Sequence, residues 1–292
     1  MVKRTLLFLC VCLIGGGFAL TLSKNGDYSY VPVSFSHFSK KPLIEVTIEN
    51  KQYQFLIDTG SCLAVCSQSR VLAELKNKRL QGKSDVMGIK GLRTQLSDFW
   101  VPSLSVGTLF VNDVVISEEV GKSGEGIVWD PLGQHEGRIL QHVDGAIGWP
   151  VLKQYYCLFD FGHKALFLSK NSGVLKPERA MRFNRWIAVP FLSGKFGMTI
   201  TVDTDVGIKR LVLDTGATHS VLRGDFQIQN SEWVSFKSEK LVMNGHDLHE
   251  WEFFTYPIPE EARDIDGVLG VDFFLKHVVY IDPRKQIAYI SI

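Results

Sequence analysis

The chain has 292 residues, of which 45% are hydrophobic and 22% charged, and its formal net charge at pH 7 is +1. This is an ordinary globular composition, with room for one large domain or two small ones. The nearly neutral charge gives no electrostatic basis for binding nucleic acid or an anionic membrane surface. We therefore expect the function to come from a local site.

The N-terminus has the pattern of a secretory signal. Lys3 and Arg4 precede an apolar run over residues 5–14, and small residues follow at positions 15–17 and 19. This order matches the charged region, apolar core and cleavage site of a signal peptide. We predict that residues 1–19 are removed and that the protein is exported, to the periplasm or outside the cell. The alternative is an uncleaved anchor, because the apolar stretch approaches membrane-spanning length. In that case the N-terminal segment would be the contact with a membrane.

After the signal, short apolar runs with alternating or clustered spacing predict β-strands. The runs lie at 30–35, 43–48, 53–57, 186–191, 198–202 and 209–213. Turn-forming residues such as Glu49 and Asn50 separate them. Helical periodicity is confined to residues 71–80 and to the segments that follow Gly148 and Gly270. The sequence therefore predicts a mainly β fold.

The two halves of the chain carry the same pattern. An apolar strand runs into Asp-Thr-Gly at Asp58 and again at Asp214, an offset of 156 residues that holds without a gap from position 33 to position 65. Further on, Asp144-Gly-Ala-Ile-Gly matches Asp266-Gly-Val-Leu-Gly at an offset of 122. The first copy therefore contains 156 − 122 = 34 extra residues. Each copy is expected to form one unit of the same fold.

This repeat predicts the domain organisation. Residues 28–170 form an N-terminal lobe with an insertion, residues 171–183 a linker, and residues 184–292 a C-terminal lobe. Within the insertion, residues 104–116 predict a hairpin around Gly107 and Asn112. The Gly-rich stretch 121–137 predicts a surface loop. It contains Gly-Lys-Ser at 121–123, but not at the helix start that a phosphate loop needs.

The paired Asp-Thr-Gly blocks predict acid–base chemistry. A carboxylate at the end of a buried strand is costly unless it has a partner, so Asp58 and Asp214 are expected to meet. Two carboxyls in contact share one proton at mildly acidic pH. The ionised member can then take a proton from a water molecule while the protonated member polarises a substrate carbonyl. This chemistry hydrolyses an amide bond with no cofactor and no metal.

The residues that follow each aspartate have supporting roles. They are Thr59, Gly60 and Ser61 in the first block and Thr215, Gly216 and Ala217 in the second. The glycines allow a close approach of the backbone. The threonines are expected to bond across to the opposite turn. A Ser61 hydroxyl that donates to Asp58 would favour the charged form of that carboxyl, so we predict that Asp58 is the ionised member.

The two blocks, each with its downstream Asp-Gly-x-x-Gly, resemble those of the aspartic proteases of the pepsin and retropepsin superfamily. Over about residues 30–292, the chain is similar to two retropepsin-like domains fused in tandem. The resemblance implies a bilobal aspartic-protease fold of two pseudo-twofold-related β-barrel-like halves. It also implies an aspartic endopeptidase that acts as a monomer on a protein or peptide substrate.

The resemblance further implies a β-hairpin flap over the substrate. The flap candidates are Met87, Gly88, Ile89 and Gly91 in the first half and Asn244 and Gly245 in the second. A plain hairpin turn is the alternative at both places. The tyrosine that pepsin-like proteins normally carry in the flap is missing from both turns.

Two other functions and two local alternatives stay open. The protein could be an inactive peptide-binding or scaffold protein of the same fold, or an enzyme active only as a homodimer. Cys62 and Cys66 are expected to be free thiols unless a local turn allows a disulfide. His246 and His249 stand beside Glu250, but not in the order of a known zinc helix, so no metal site is predicted.

Overall fold

A computed structural model describes residues 27–36, 40–87, 93–119, 143–172, 185–224, 234–258 and 260–292. The predicted signal peptide, the Gly-rich loop at 121–137 and most of the predicted linker lie outside the described residues. The same holds for residues 88–92, at the tip of the predicted flap.

The described chain is mainly β, as predicted. Its strands are β1 Tyr28–Pro32, β2 Ser34–Phe35, β3 Pro42–Ile48, β4 Lys51–Asp58, β5 Val65–Gln68, β6 Arg79–Met87, β7 Arg93–Val106, β8 Leu109–Glu119, β9 Gly145–Gly148, β10 Tyr156–Asp160, β11 Ala165–Ser169, β12 Trp186–Gly194, β13 Gly197–Thr204, β14 Gly207–Leu213, β15 Val221–Arg223, β16 Val234–Ser238, β17 Val242–Met243, β18 His246–Asp247, β19 Trp251–Tyr256, β20 Gly267–Leu269, β21 Val279–Asp282 and β22 Ile287–Ser291. The α-helices are α1 Ser69–Glu74, α2 Trp149–Leu152 and α3 Val271–Lys276, and short 3₁₀ turns cover Phe161–His163 and Glu260–Ala262. None of the helices in this part of the chain has the length and hydropathy that crossing a bilayer requires.

These strands belong to two sheets. One has the order β2-β3-β4-β9-β5-β8-β7-β6, and β3 also pairs with β7, so the pairing returns on itself. The other runs β1-β11-β10-β21-β22-β12-β13-β14-β20-β15-β19-β16, with β17 and β18 attached beside β13. The antiparallel pairing of β10 with β21, from Cys157 opposite Ile281 to Phe159 opposite Val279, joins strands from the two halves in one sheet.

The sequence repeat recurs as matching strand pairs. Strand β4 pairs in parallel with β9, with Phe55 opposite Gly145. Strand β14 pairs in parallel with β20, with Leu211 opposite Gly267. The paired residues of the first copy therefore map onto those of the second copy by the sequence offsets of 156 and 122. Each pair brings an Asp-Thr-Gly turn beside an Asp-Gly-x-x-Gly segment.

The aspartates of the Asp-Gly-x-x-Gly segments have structural contacts. Asp144 accepts a hydrogen bond from the Gln54 backbone N–H at 2.7 Å and forms an ion pair with Arg70. Asp266 accepts from the Arg210 backbone N–H at 2.8 Å, the matching bond in the second copy. The two carboxylates hold the start of their parallel strand pairs.

The predicted helix over residues 71–80 is wrong beyond Glu74. The Glu49 carboxylate accepts hydrogen bonds from the backbone N–H groups of Lys76, at 2.8 Å, and Asn77, at 2.6 Å. These bonds compete with helix continuation, and β6 begins soon afterwards. The predicted helical segments after Gly148 and Gly270 are confirmed as α2 and α3.

The insertion forms the predicted hairpin, with one difference. Its turn lies at Gly107, where φ is +58°, a conformation that glycine adopts without strain. Asn112 lies inside β8 and does not form a turn.

A buried aromatic cluster joins elements of the two halves. The Phe274 ring of α3 lies 5.5 Å from the Phe159 ring and 5.8 Å from the Phe161 ring, measured between centroids. All three side chains are almost fully buried. The cluster therefore fixes α3, which follows the second Asp-Gly-x-x-Gly segment, against the first half of the chain.

Candidate active site

The structure brings Asp58 and Asp214 into contact. Strand β4 ends at Asp58, and Asp214 directly follows β14. Their carboxyl groups hydrogen-bond to each other. Burial, and then the charge of Asp214, raise the pKa of Asp58 to about 7. Burial also raises the pKa of Asp214. The pair can therefore hold one proton over a wide pH range.

Reciprocal hydrogen bonds of Thr59 and Thr215 lock the two turns together. The Thr59 backbone N–H donates to Thr215 Oγ1 at 3.1 Å, and the Thr215 N–H donates to Thr59 Oγ1 at 2.9 Å. The Thr59 hydroxyl in turn donates to the Leu213 carbonyl, and the Thr215 hydroxyl to the Ile57 carbonyl, both at 2.7 Å. Both threonines are fully buried. These are the cross-turn bonds expected from the sequence.

Gly60 and Gly216 allow the turns to approach this closely. A Cβ atom on Gly60 would lie 2.5 Å from Asp214 Cγ, and a Cβ atom on Gly216 would lie 2.5 Å from Asp58 Cγ. Each glycine therefore lies against the carboxyl group of the opposite turn. Any larger residue would displace that carboxyl group.

The structure gives Ser61 a different role from the predicted one. Its hydroxyl accepts a hydrogen bond from the Leu63 N–H at 3.2 Å, whereas Asp58 accepts from the Gly60 N–H at 3.1 Å. Asp214 accepts from the Gly216 N–H at 2.8 Å, and the Ala217 N–H also lowers its pKa. The prediction that Ser61 makes Asp58 the ionised member is therefore wrong. The backbone donors favour Asp214 as that member.

The two predicted flap segments differ in what the structure describes. In the first half, β6 and β7 pair as an antiparallel hairpin as far as Met87 opposite Arg93. Gly88, Ile89 and Gly91 lie outside the described residues.

In the second half, Asn244 and Gly245 form a two-residue turn between β17 and β18, with φ values of +45° and +80°. The Asn244 side-chain amide donates to the Ala188 carbonyl of β12 at 2.8 Å. Because this hydrogen bond attaches the turn to β12, it favours a plain turn over a flap at Asn244 and Gly245.

Lys41 is a charged residue of the site that the sequence analysis missed. Its side chain interacts electrostatically with both Asp58 and Asp214, and this interaction lowers the pKa of each carboxyl. A signal was present in the sequence. Glu49 and Asn50 form a two-residue turn between β3 and β4, which fixes their register with Leu43 opposite Leu56. If this register is extended by two residues beyond the last pair, Lys41 is placed opposite Asp58.

Other candidate ligands do not converge. The structure has Cys62, Cys66 and Cys157 as free thiols, as expected. His246 and His249 are exposed near the β17–β18 turn. Within the described ranges, no three His, Cys, Asp or Glu side chains are grouped to hold a metal ion.

The comparisons with known proteins identify the fold. No family model matches the chain, and no curated protein matches it in sequence. Among solved structures, the chain is similar to Basic 7S globulin from soybean, with a TM-score of 0.59 and 10% sequence identity. The match covers 91% of this chain and 95% of the globulin. At this identity the likeness shows a shared fold alone.

These findings correct the family assignment made from the sequence. Membership of the pepsin and retropepsin superfamily, as two fused retropepsin-like domains, is not supported, because no family model matches and the solved structure described above is a globulin. The assignment depended on two short motifs and their spacing. Motifs of this size specify a local turn and leave the rest of the chain unconstrained. The chain is a mainly β protein with the fold of Basic 7S globulin and a paired-carboxyl site.

Proposed function

We propose that the protein is an aspartic endopeptidase that hydrolyses peptide bonds with a water molecule activated by Asp58 and Asp214. The observation that carries this proposal is the contact between the two carboxyl groups, held by the reciprocal threonine bonds. Such a pair supplies a general base and a general acid on either side of one water molecule. Neither a cofactor nor a metal ion takes part in the proposed reaction.

The proposed reaction follows from the hydrogen bonds of the pair. The Asp214 carboxylate, with the stronger set of backbone donors, takes a proton from water as the water oxygen bonds to the peptide carbonyl carbon. The Asp58 carboxyl gives its proton to the carbonyl oxygen, which produces a tetrahedral diol. The proton on Asp214 then passes to the amide nitrogen, the C–N bond breaks, and a diol proton returns to Asp58 as the new carboxyl group forms.

The proposal includes an arrangement of the chain. Two lobes, 28–170 and 184–292, would be related by a pseudo-twofold axis between Asp58 and Asp214, with a linker at 171–183. The reciprocal bonds of Thr59 and Thr215 support this arrangement, because each turn repeats the contacts of the other. Both carboxyls come from one chain, which supports activity as a monomer. Residues 1–19 would direct export, to the periplasm or beyond.

A peptide-library cleavage assay tests the proposed function. Wild-type protein is compared across pH with Asp58→Asn and Asp214→Asn, and with Asp203→Asn as a matched control. Asp203 also precedes a threonine but lies in an ion pair with Lys240 outside the site. We expect cleavage by the wild type and the control, loss of at least about 10³-fold in both site variants, and inhibition by a statine-type compound. Undiminished cleavage by either site variant, or no cleavage by the wild type at any pH, would refute the proposal. The second result would favour a non-catalytic protein of the same fold.

A further inference from the structure

Lys41 stands at a defined position relative to the carboxyl pair. Strands β3 and β4 are antiparallel with Leu43 opposite Leu56, and continuing this register by two residues places Lys41 opposite Asp58. Residues directly opposite each other on antiparallel strands have Cβ atoms about 4.5–5.5 Å apart and point to the same face. The Lys41 side chain and the Asp58 carboxyl therefore share one face of the hairpin.

The backbone around Lys41 is held in place. The Lys41 N–H donates to Ser36 Oγ at 3.0 Å, and the Ser36 N–H donates to the Lys41 carbonyl at 3.0 Å. Ser36 is buried, and the Lys40 N–H donates to the Ser36 carbonyl at 3.1 Å. These bonds hold the backbone just before β3, and so they fix the position of the Lys41 Cα atom.

The second copy of the repeat has no such cation. In β13 and β14, Met198 lies opposite Leu213, so Gly197 stands opposite Asp214. Its φ is +91°, and a Cβ atom there would collide with the carbonyl oxygen of Thr59. The geometry of the second hairpin therefore requires a glycine where the first hairpin carries a lysine. Of these two matching positions, the one in the first hairpin carries a cation.

Few other charges act on the pair. On β5, the Cys66 thiol interacts with Asp58, but burial raises its pKa to about 12, so the thiol stays neutral. Burial lowers the pKa of Lys41 overall, although the charges of Asp58 and Asp214 act in the opposite direction. Among the described residues, Lys41 is therefore the positive charge that acts on both carboxyls.

We propose that Lys41 is a positioning residue that sets the ionisation of the site: its ammonium group favours the singly ionised form of the Asp58–Asp214 pair. Two half-buried carboxyls in contact would otherwise keep both protons to a higher pH. Lys41 offsets this by placing a positive charge beside the shared proton. The consequence for catalysis rests on the proposed function, but the effect on the carboxyls does not.

The test is a titration of the carboxyl carbons by NMR, with ¹³C-labelled aspartate and assignments from Asp58→Asn and Asp214→Asn. In Lys41→Met, we expect the apparent pKa of the pair to rise by at least about one unit, the scale of a unit charge several ångströms away at an effective dielectric constant of about 20. Lys41→Arg retains a positive charge and should keep the wild-type titration. Lys40→Met removes a charge from the exposed neighbouring residue and should also leave it unchanged.

The outcomes separate this inference from the proposed function. An unchanged titration in Lys41→Met, or the same rise in Lys40→Met, would overturn the role of Lys41 whether or not the protein cleaves peptides. If Lys41→Met does not fold, Lys41→Gln serves the same comparison. Where cleavage is observed, the pH–rate profile of Lys41→Met should move to higher pH by the same amount, and Lys41→Arg should restore it. A loss of rate with no pH displacement would also contradict the proposal.

Discussion

Replacing Thr59 by valine should weaken the protein much more than a typical surface change. Valine has nearly the same shape but removes Oγ1, which donates to the Leu213 carbonyl and accepts from the Thr215 N–H. Both contacts are buried, and each group left without a partner costs about 1–3 kcal/mol. The free energy of unfolding should therefore fall by about 2–6 kcal/mol.

Urea-induced unfolding at constant pH measures this loss, with Thr201→Val as the matched control. Thr201 lies on an exposed face of β13, so its replacement should change the free energy of unfolding by no more than about 0.5 kcal/mol. Thr215→Val removes the two other bonds of the lock. The double variant should lose less than the sum of the single losses, because either break releases both turns. A cost for Thr59→Val as small as that of the control, or strict additivity, would refute the reasoning that the lock is one cooperative unit.

Three further changes have defined outcomes. Gly216→Ala places a methyl group against the Asp58 carboxyl and should abolish the shared titration of the pair, as measured by NMR. The wild type should lose stability as the pH rises from about 4 to about 7, because folded Asp58 holds a proton that the unfolded chain releases. Asp58→Asn should escape this loss, so near pH 7 it should be more stable than the wild type by about 2–4 kcal/mol, as measured by urea unfolding. Asp144→Ala removes both the hydrogen bond from the Gln54 N–H and the ion pair with Arg70, and should cost about 1–3 kcal/mol in the same assay.

Each of these changes has a control. Gly82→Ala adds a methyl group where no atom lies within 4 Å, so the pair should titrate as in the wild type. If the difference in unfolding free energy between Asp58→Asn and the wild type stays constant from pH 4 to 7, the raised pKa of Asp58 is contradicted. Asp85 is exposed, and a loss in Asp85→Ala equal to that in Asp144→Ala would show that the Asp144 contacts contribute nothing specific to stability.

The contact between Asp58 and Asp214 could be predicted because the repeat supplied both the partner and the register. The threonine lock followed from the same symmetry, since each turn had to satisfy the buried groups of the other. The mainly β class followed from period-2 patterning. These features depend on local sequence that occurs twice in the chain.

The features that were not predicted depend on long-range contacts. The end of α1 is set by Glu49, a residue on a different turn that captures two backbone N–H groups. The prediction for Ser61 was wrong because its hydroxyl bonds within its own turn, where it accepts from the Leu63 N–H. Lys41 was missed because its importance lies in strand register, and the sequence pattern around it resembles that of a surface lysine.

The pairing of β10 with β21 has a mechanical consequence. Backbone hydrogen bonds between Cys157 and Ile281, and on to Val279, cross from one half of the chain to the other. A break in the covalent chain between β11 and β12 would therefore leave the halves joined by this sheet and by the buried phenylalanines. Any movement of β10 away from β21 must break these hydrogen bonds or bend the shared sheet. The shared sheet is thus a second restraint on the two aspartates, far from the threonine bonds that hold their turns together.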